Sequence, residues 1–141
     1  MITSEKQLLV TIEKINTLKQ SLKAPANKDM KAIFQKAARA QTEALIEELG
    51  EQVKEYNSLR SDGLKAIKVK NASDWLLIPI RFRIAKKMSQ DAFSHLVGVS
   101  VRQIARYEAE EYSNVQTETL KKILDKLPIS VTNTQITEKE K

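Results

Sequence analysis

Ser89-Gln-Asp-Ala-Phe-Ser-His-Leu-Val-Gly-Val-Ser-Val-Arg-Gln-Ile-Ala-Arg-Tyr-Glu108 is the stretch whose reading decides the fold of this chain. It describes two short helices meeting at a sharp turn. Ser89 has the side-chain oxygen that caps a helix start, and Asp91 in the opening turn suits the positive end of the helix dipole. Phe93 and Val97 lie four apart, so this helix buries one side. Gly98 supplies the left-handed residue that stops it. Ser100 then caps a second helix, and Gln103 three residues later completes a capping-box pattern. Ile104 and Tyr107 point inward, which leaves Val101, Arg102, Gln103 and Arg106 on the outer face.

Two helices joined by a short turn, the second with an outward polar and basic face, have the layout of a DNA-reading unit. On these residues the chain resembles the Xre/Cro type of helix-turn-helix transcriptional regulators. The matching pieces are Arg83, Ser89-Gln90, Phe93, Gly98-Val99-Ser100, Ile104 and Tyr107-Glu108, in register from Ser89 to Glu108 without a gap. The resemblance spans roughly residues 75–128. One departure concerns the end of the recognition helix, where the family's usual Gly is replaced by Glu110 and the loop is one residue longer. The ending Tyr107-Glu108-Ala109-Glu110-Glu111-Tyr112 is similar to that of a subset of the family.

The resemblance implies a mainly α fold, with a compact lambda-repressor-like helix-turn-helix domain following an amino-terminal helical hairpin. It places Val101, Arg102 and Arg106 at base-reading positions, with Ser100 and Gln103 beside them. An Arg there can donate two bonds to guanine, and a Val can touch a thymine methyl. Gln90 opens the preceding helix, where free backbone amides can hold a phosphate, and in the family this Gln grips the DNA backbone. Lys86 and Lys87 are candidates for further phosphate contacts, with a solvated charge pair as the alternative. Arg83 and Glu108 are implied to be a buried ion pair serving the scaffold.

Outward from that core, the chain of 141 residues has room for one ordinary domain or two small ones. The hairpin is expected over residues 1–62, a linker or short strand over 63–73, the helix-turn-helix domain over 74–128 and a frayed tail over 129–141. From Thr3 to Leu22, Leu8, Ile12, Ile15 and Leu22 recur at helical spacing, with Leu9 and Leu18 widening the stripe. Pro25 interrupts it. A longer helix is expected over Lys28 to Arg60, with Ile33, Phe34, Ala37, Gln41, Leu45, Leu49, Val53, Tyr56 and Leu59 inward. Gly50 weakens that helix and marks a candidate bend. Such a hairpin buries little alone, so it pairs with a second copy or packs on the following domain. The small patch Ala37 to Ala40 would admit another helix closely.

Leu64-Lys-Ala-Ile-Lys-Val-Lys70 alternates apolar and basic residues, which suits a short strand or an extended linker. Asn71 to Asp74 reads as a turn or cap. Pro79 either sits in the first turn of the next helix or kinks a longer one, the first being favoured. Trp75 is expected to anchor a core or interface, and Leu96 to meet the hairpin. A closing helix runs from Thr117 to Leu127 with Leu120, Ile123, Leu124 and Leu127 buried, and Pro128 stops it.

Net charge is +6, a modest basic excess that favours an acidic partner such as nucleic acid. Cysteine is absent, which excludes disulfides and thiolate metal sites and fits a cytoplasmic location. His95 is the single histidine and is expected to be exposed, so no histidine-based metal cluster forms. Neither a secretory signal nor an apolar run of membrane length is visible. Glu47-Glu48 and Glu110-Glu111 are adjacent pairs that diverge on a helix, and there is no glycine-rich phosphate loop or nucleophile elbow. No catalysis and no cofactor are therefore expected. The leading expectation is a dimeric, sequence-specific repressor of double-stranded DNA that reads the major groove with helix 100–109. The alternative is an antitoxin that binds a toxin protein through its amino-terminal helices and regulates its own operon. An interaction module without DNA binding is a third reading.

Overall fold

The computed structural model describes residues 1–25, 27–132 and 135–140. Six α-helices are found among them: α1 Glu5–Lys23, α2 Ala32–Asp62, α3 Ala72–Ala85, α4 Gln90–Val97, α5 Val101–Ala109 and α6 Thr117–Lys126. The fold is all-helical, with no strand among the described residues.

α1 and α2 form an antiparallel hairpin. Ser4 caps α1 by accepting from the Gln7 amide, and the chain leaves the helix at Ala24, before Pro25. α2 starts at Ala32, later than the expected Lys28, because Asn27 to Met30 form a turn closed by the Met30 amide on the Asn27 carbonyl. The helix then runs without a break through Gly50, so that glycine marks no interruption. Burial along the hairpin is uneven. Leu8, Tyr56 and Leu59 are buried at its base, whereas Leu9, Ile12, Ile33 and Phe34 are exposed. Ala37 and Gln41 are exposed as well. The expected inward stripe at the start of α2 is thus overturned. α1 lies on the opposite side of that helix, where Thr42, Leu45, Ile46 and Leu49 are half-buried.

Between hairpin and domain, Gly63–Ala66 is a single 3₁₀ turn and residues 67–70 have no regular secondary structure. The strand expected over 64–70 does not form, since an isolated strand leaves its backbone groups unpaired. Asn71 opens α3 with a full capping box: its side chain accepts from the Asp74 amide while the Asp74 carboxylate accepts from the Asn71 amide. With its start fixed there, α3 carries Pro79 in its interior and not in its first turn. The ring removes one helical hydrogen bond, and the fully buried side chain packs in the core.

α3 is the helix around which the others are arranged. Ile78, Pro79, Ile80, Phe82, Arg83, Ile84 and Ala85 are all buried, which is the pattern of a helix covered on every side. Around it lie Phe93 and Val97 of α4, Ile104 and Tyr107 of α5, Ile123 of α6, and Leu127 just beyond. Ile2, Leu8, Tyr56 and Leu59 join the same core from the hairpin, so its base packs on the domain. Trp75 and Leu96 are each 36 % exposed and lie outside the buried core cluster. In the tail, Ile129 packs partly on the core, while Val131 and Ile136 are exposed.

Candidate nucleic-acid interface

Local chemistry sets the two helices of the reading unit. The Ser89 hydroxyl accepts from the Ala92 amide at 3.0 Å, and Gly98 ends α4 in the left-handed region at φ 71°. Its amide returns to the Ser94 carbonyl, as does that of Val99. Ser100 then accepts from the Gln103 amide at 3.3 Å and lies 3.4 Å from the Gln103 side-chain oxygen. The turn is thus closed by Gly98, two backbone bonds to the Ser94 carbonyl and the Ser100–Gln103 pair.

α5 buries Ile104, Tyr107 and Glu108 and exposes Val101, Arg102, Gln103, Ala105 and Arg106. Val101 is 42 % exposed. The Arg106 guanidinium sits 5.4 Å from the centre of the Tyr107 ring, a cation–π contact that limits its rotamers. The six residues Gln90, Ser100, Val101, Arg102, Gln103 and Arg106 do not all have free side chains. Ser100 and Gln103 are turned on each other at the cap, and Gln90 donates to Glu108 at 3.1 Å. Val101, Arg102 and Arg106 are left as the outward surface.

Beneath this surface is a buried polar cluster. Arg83 Nε donates to Glu108 Oε2 and Nη2 to Glu108 Oε1, each at 2.7 Å. The same guanidinium donates to the Met88 and Thr3 carbonyls at 3.0 and 2.9 Å. One side chain therefore joins α3, the loop before α4, α5 and the start of the chain. Planar guanidinium with several fixed donors is the group suited to that task. Met1, Thr3 and Gln7 lie beside Gln90, Ala105, Glu108 and Ala109, so the start of the chain flanks the recognition helix. Nothing in the local pattern of residues 1–7 announces this contact.

A second polar junction was equally invisible to spacing. Arg81 bridges Glu55 of α2 at 2.8 Å and Asp74 of α3 at 2.9 Å. Burial alone would raise the Asp74 pKa, but the Lys70 amide, Arg81 and the Asn71 amide together hold it below its ordinary value of 3.8.

The end of α5 shows how the chain manages without the usual glycine. Glu111 and Tyr112 both adopt positive φ, at 53° and 59°. The Tyr112 amide donates to the Tyr107 carbonyl at 2.7 Å, and its ring, fully buried, lies 5.5 Å from that of Tyr107. Packing of the aromatic side chain thus offsets a conformation that costs a non-glycine residue about 1–2 kcal/mol. Burial pushes the Tyr112 hydroxyl far above its usual pKa, with Glu108 adding to the shift. That hydroxyl has no hydrogen-bond partner among the described residues. Lys86 and Lys87 are exposed, Lys87 with φ 56°. His95 is exposed, and its Nδ1 lies 2.8 Å from the Asp91 carbonyl.

A family model described as helix-turn-helix matches residues 80–132, from the second half of α3 through α6. Over these residues the chain is similar to Xre-type, lambda-repressor-like helix-turn-helix domains, and the match supports a DNA-binding regulator. α1 and α2 lie outside the match. No curated protein and no solved structure gave a match. Among the described residues, no helix is long and apolar enough to cross a membrane and no cluster of acidic residues or histidine is arranged to hold a metal.

Proposed function

We propose that the protein is a dimeric repressor that binds an inverted-repeat operator in the cytoplasm. α5 would enter the major groove, with Arg102 and Arg106 donating to guanine edges and Val101 meeting a thymine methyl. The observation that carries this reading is the outward trio Val101, Arg102 and Arg106 on a helix whose other side is clamped by Arg83 and Glu108. Gln90 and the amides at the start of α4 would hold a phosphate, with Lys86 and Lys87 as further backbone contacts. The protein is read as no enzyme and as needing no cofactor. The adjacent Glu110 and Glu111 support this, because their carboxylates go to separate partners, Asn114 and the amino terminus.

Selection of bound duplexes from a random DNA pool at two salt concentrations tests the reading. Enrichment of an inverted repeat that persists at the higher salt is expected, with half-site centres about one helical turn apart. Weak binding that collapses with salt would reduce the protein to a non-specific phosphate binder.

The antitoxin reading has one observation in its favour. Leu9 and Val10 are 66 % and 58 % exposed on α1, an apolar surface with no role in the helix-turn-helix domain. Co-purification of a small protein with the tagged chain from its native host, lost on Leu9→Glu, would support it.

A further inference from the structure

α2 has two faces in its amino-terminal half, and only one is used. Thr42, Leu45, Ile46 and Leu49 are half-buried on the side of α1, whereas Ile33, Ala37, Ala40 and Ala44 share the opposite face and are exposed. Phe34 and Gln41 flank that face. Ile33 is 72 % exposed and Phe34 59 %, values that are costly for two large apolar side chains in the first turn of a helix.

The charges along the same helix are segregated. From Lys31 to Gln41 the ionisable residues are Lys31, Lys36 and Arg39, all basic. From Thr42 to Val53 they are Glu43, Glu47, Glu48 and Glu51, all acidic. This order does not serve the isolated helix. Its first turn has no acidic residue and its cap position, Lys31, offers no side-chain acceptor. Basic charge at that end opposes the helix dipole. The order does suit an antiparallel pair of identical helices, in which each basic half meets an acidic half.

We propose that a second copy of the protein docks on this face, α2 against α2 in antiparallel orientation, about a two-fold axis near Ala40 and Gln41. The alanines allow the helix axes to approach to about 8 Å. Ile33 and Phe34 then cover the turn from Ala44 to Glu48 of the partner subunit. Lys36 lies on the same flank as Glu43 and Glu47, so it faces Glu43 and Glu47 of the partner subunit. Among the described residues Lys36 and Glu47 have no ion-pair partner within the chain, while Arg39 is engaged by Glu43 at 3.3 Å. The contact extends over about four turns, which places it at the small end of specific interfaces. Two half-sites on one DNA would therefore strengthen it.

This inference rests on the dimeric reading above, and the test separates the two. The chain has no cysteine, so single-cysteine variants report geometry without background. Gln41→Cys is expected to form a disulfide-linked dimer under mild oxidation, and Glu13→Cys on exposed α1 is expected not to. In sedimentation, Lys36→Glu should weaken the dimer at least tenfold, and adding Glu43→Lys and Glu47→Lys should restore it. A dimer that ignores Lys36→Glu and leaves Gln41→Cys unlinked overturns the α2 pairing alone. A chain that stays monomeric, even on its selected operator, overturns both. Capture of a different protein that protects Phe34 while the chain remains monomeric overturns the second-copy assignment.

Discussion

Arg83 and Glu108 meet through two parallel bonds of 2.7 Å across the interface between α3 and α5, with side-chain exposures of 8 % and 2 %. Glu108 also accepts from Gln90, and Arg83 also holds the Met88 and Thr3 carbonyls. Removing one partner strands a buried charge. Glu108→Ala should cost about 3–5 kcal/mol, whereas joint replacement by Met at 83 and Leu at 108 should cost much less. Urea unfolding of the parent and the two variants checks this. A single variant as stable as the parent would show that the pair contributes nothing to the scaffold.

The junction at Asp74 gives a pH dependence. Its folded pKa lies below the ordinary 3.8, so the carboxylate contributes stability above that value and loses it as the pH falls through the lower folded value. Asp74→Asn removes the charge that Arg81 faces. The variant should therefore be less stable than the parent at neutral pH, and the gap should close progressively below about pH 4. Unfolding curves for both chains at neutral and strongly acid pH measure the gap. A constant difference across that range would remove Asp74 as its source.

Gly50 lies inside α2, and a methyl group built there meets nothing within 4 Å. Glycine in a helix interior is less favourable than alanine by about 0.5–1 kcal/mol. Gly50→Ala should raise stability by that amount and leave DNA affinity unchanged, since the site is remote from α5. A thermal melt showing destabilisation would mean that Gly50 has a closely packed neighbour in the assembled protein.

What could be read from sequence follows the range of the forces involved. Ser89, Gly98 and Ser100 act on backbone groups within a few residues, so the reading unit was legible as a string of caps and stops. The extent of α6 was legible for the same reason, from its periodic Leu120, Ile123 and Leu124 and the Pro128 stop. Ile33 and Phe34 fail differently: periodicity identifies an apolar stripe but does not say which neighbour covers it, and α1 docks on the other side. Pro79 falls inside α3 and not in its first turn because the helix start is set by the Asn71–Asp74 box, whose strength outweighs one missing bond. Glu111 and Tyr112 adopt positive φ only because Tyr112 finds a buried site, a long-range fact. Arg81 with Glu55, and Arg83 with the Thr3 carbonyl, join segments far apart in the chain and leave no local pattern.

Arg102 and Lys86 should separate two kinds of DNA contact. Arg102 projects from the first turn of α5, where side chains come nearest to base edges. Its guanidinium can take one guanine in two bonds, so Arg102→Ala should lose about 1–3 kcal/mol and relax preference at one base position of each half-site. Lys86 follows α3 and stands exposed before α4, where a phosphate contact carries no sequence information. Lys86→Gln should weaken all sequences about equally and lower the slope of affinity against salt by about 1. Titration of the selected operator and of a scrambled duplex at several salt concentrations measures both effects at once. If Arg102→Ala loses affinity equally for both duplexes while the selected half-site stays the same, the base-reading role passes from Arg102 to Arg106 and Val101.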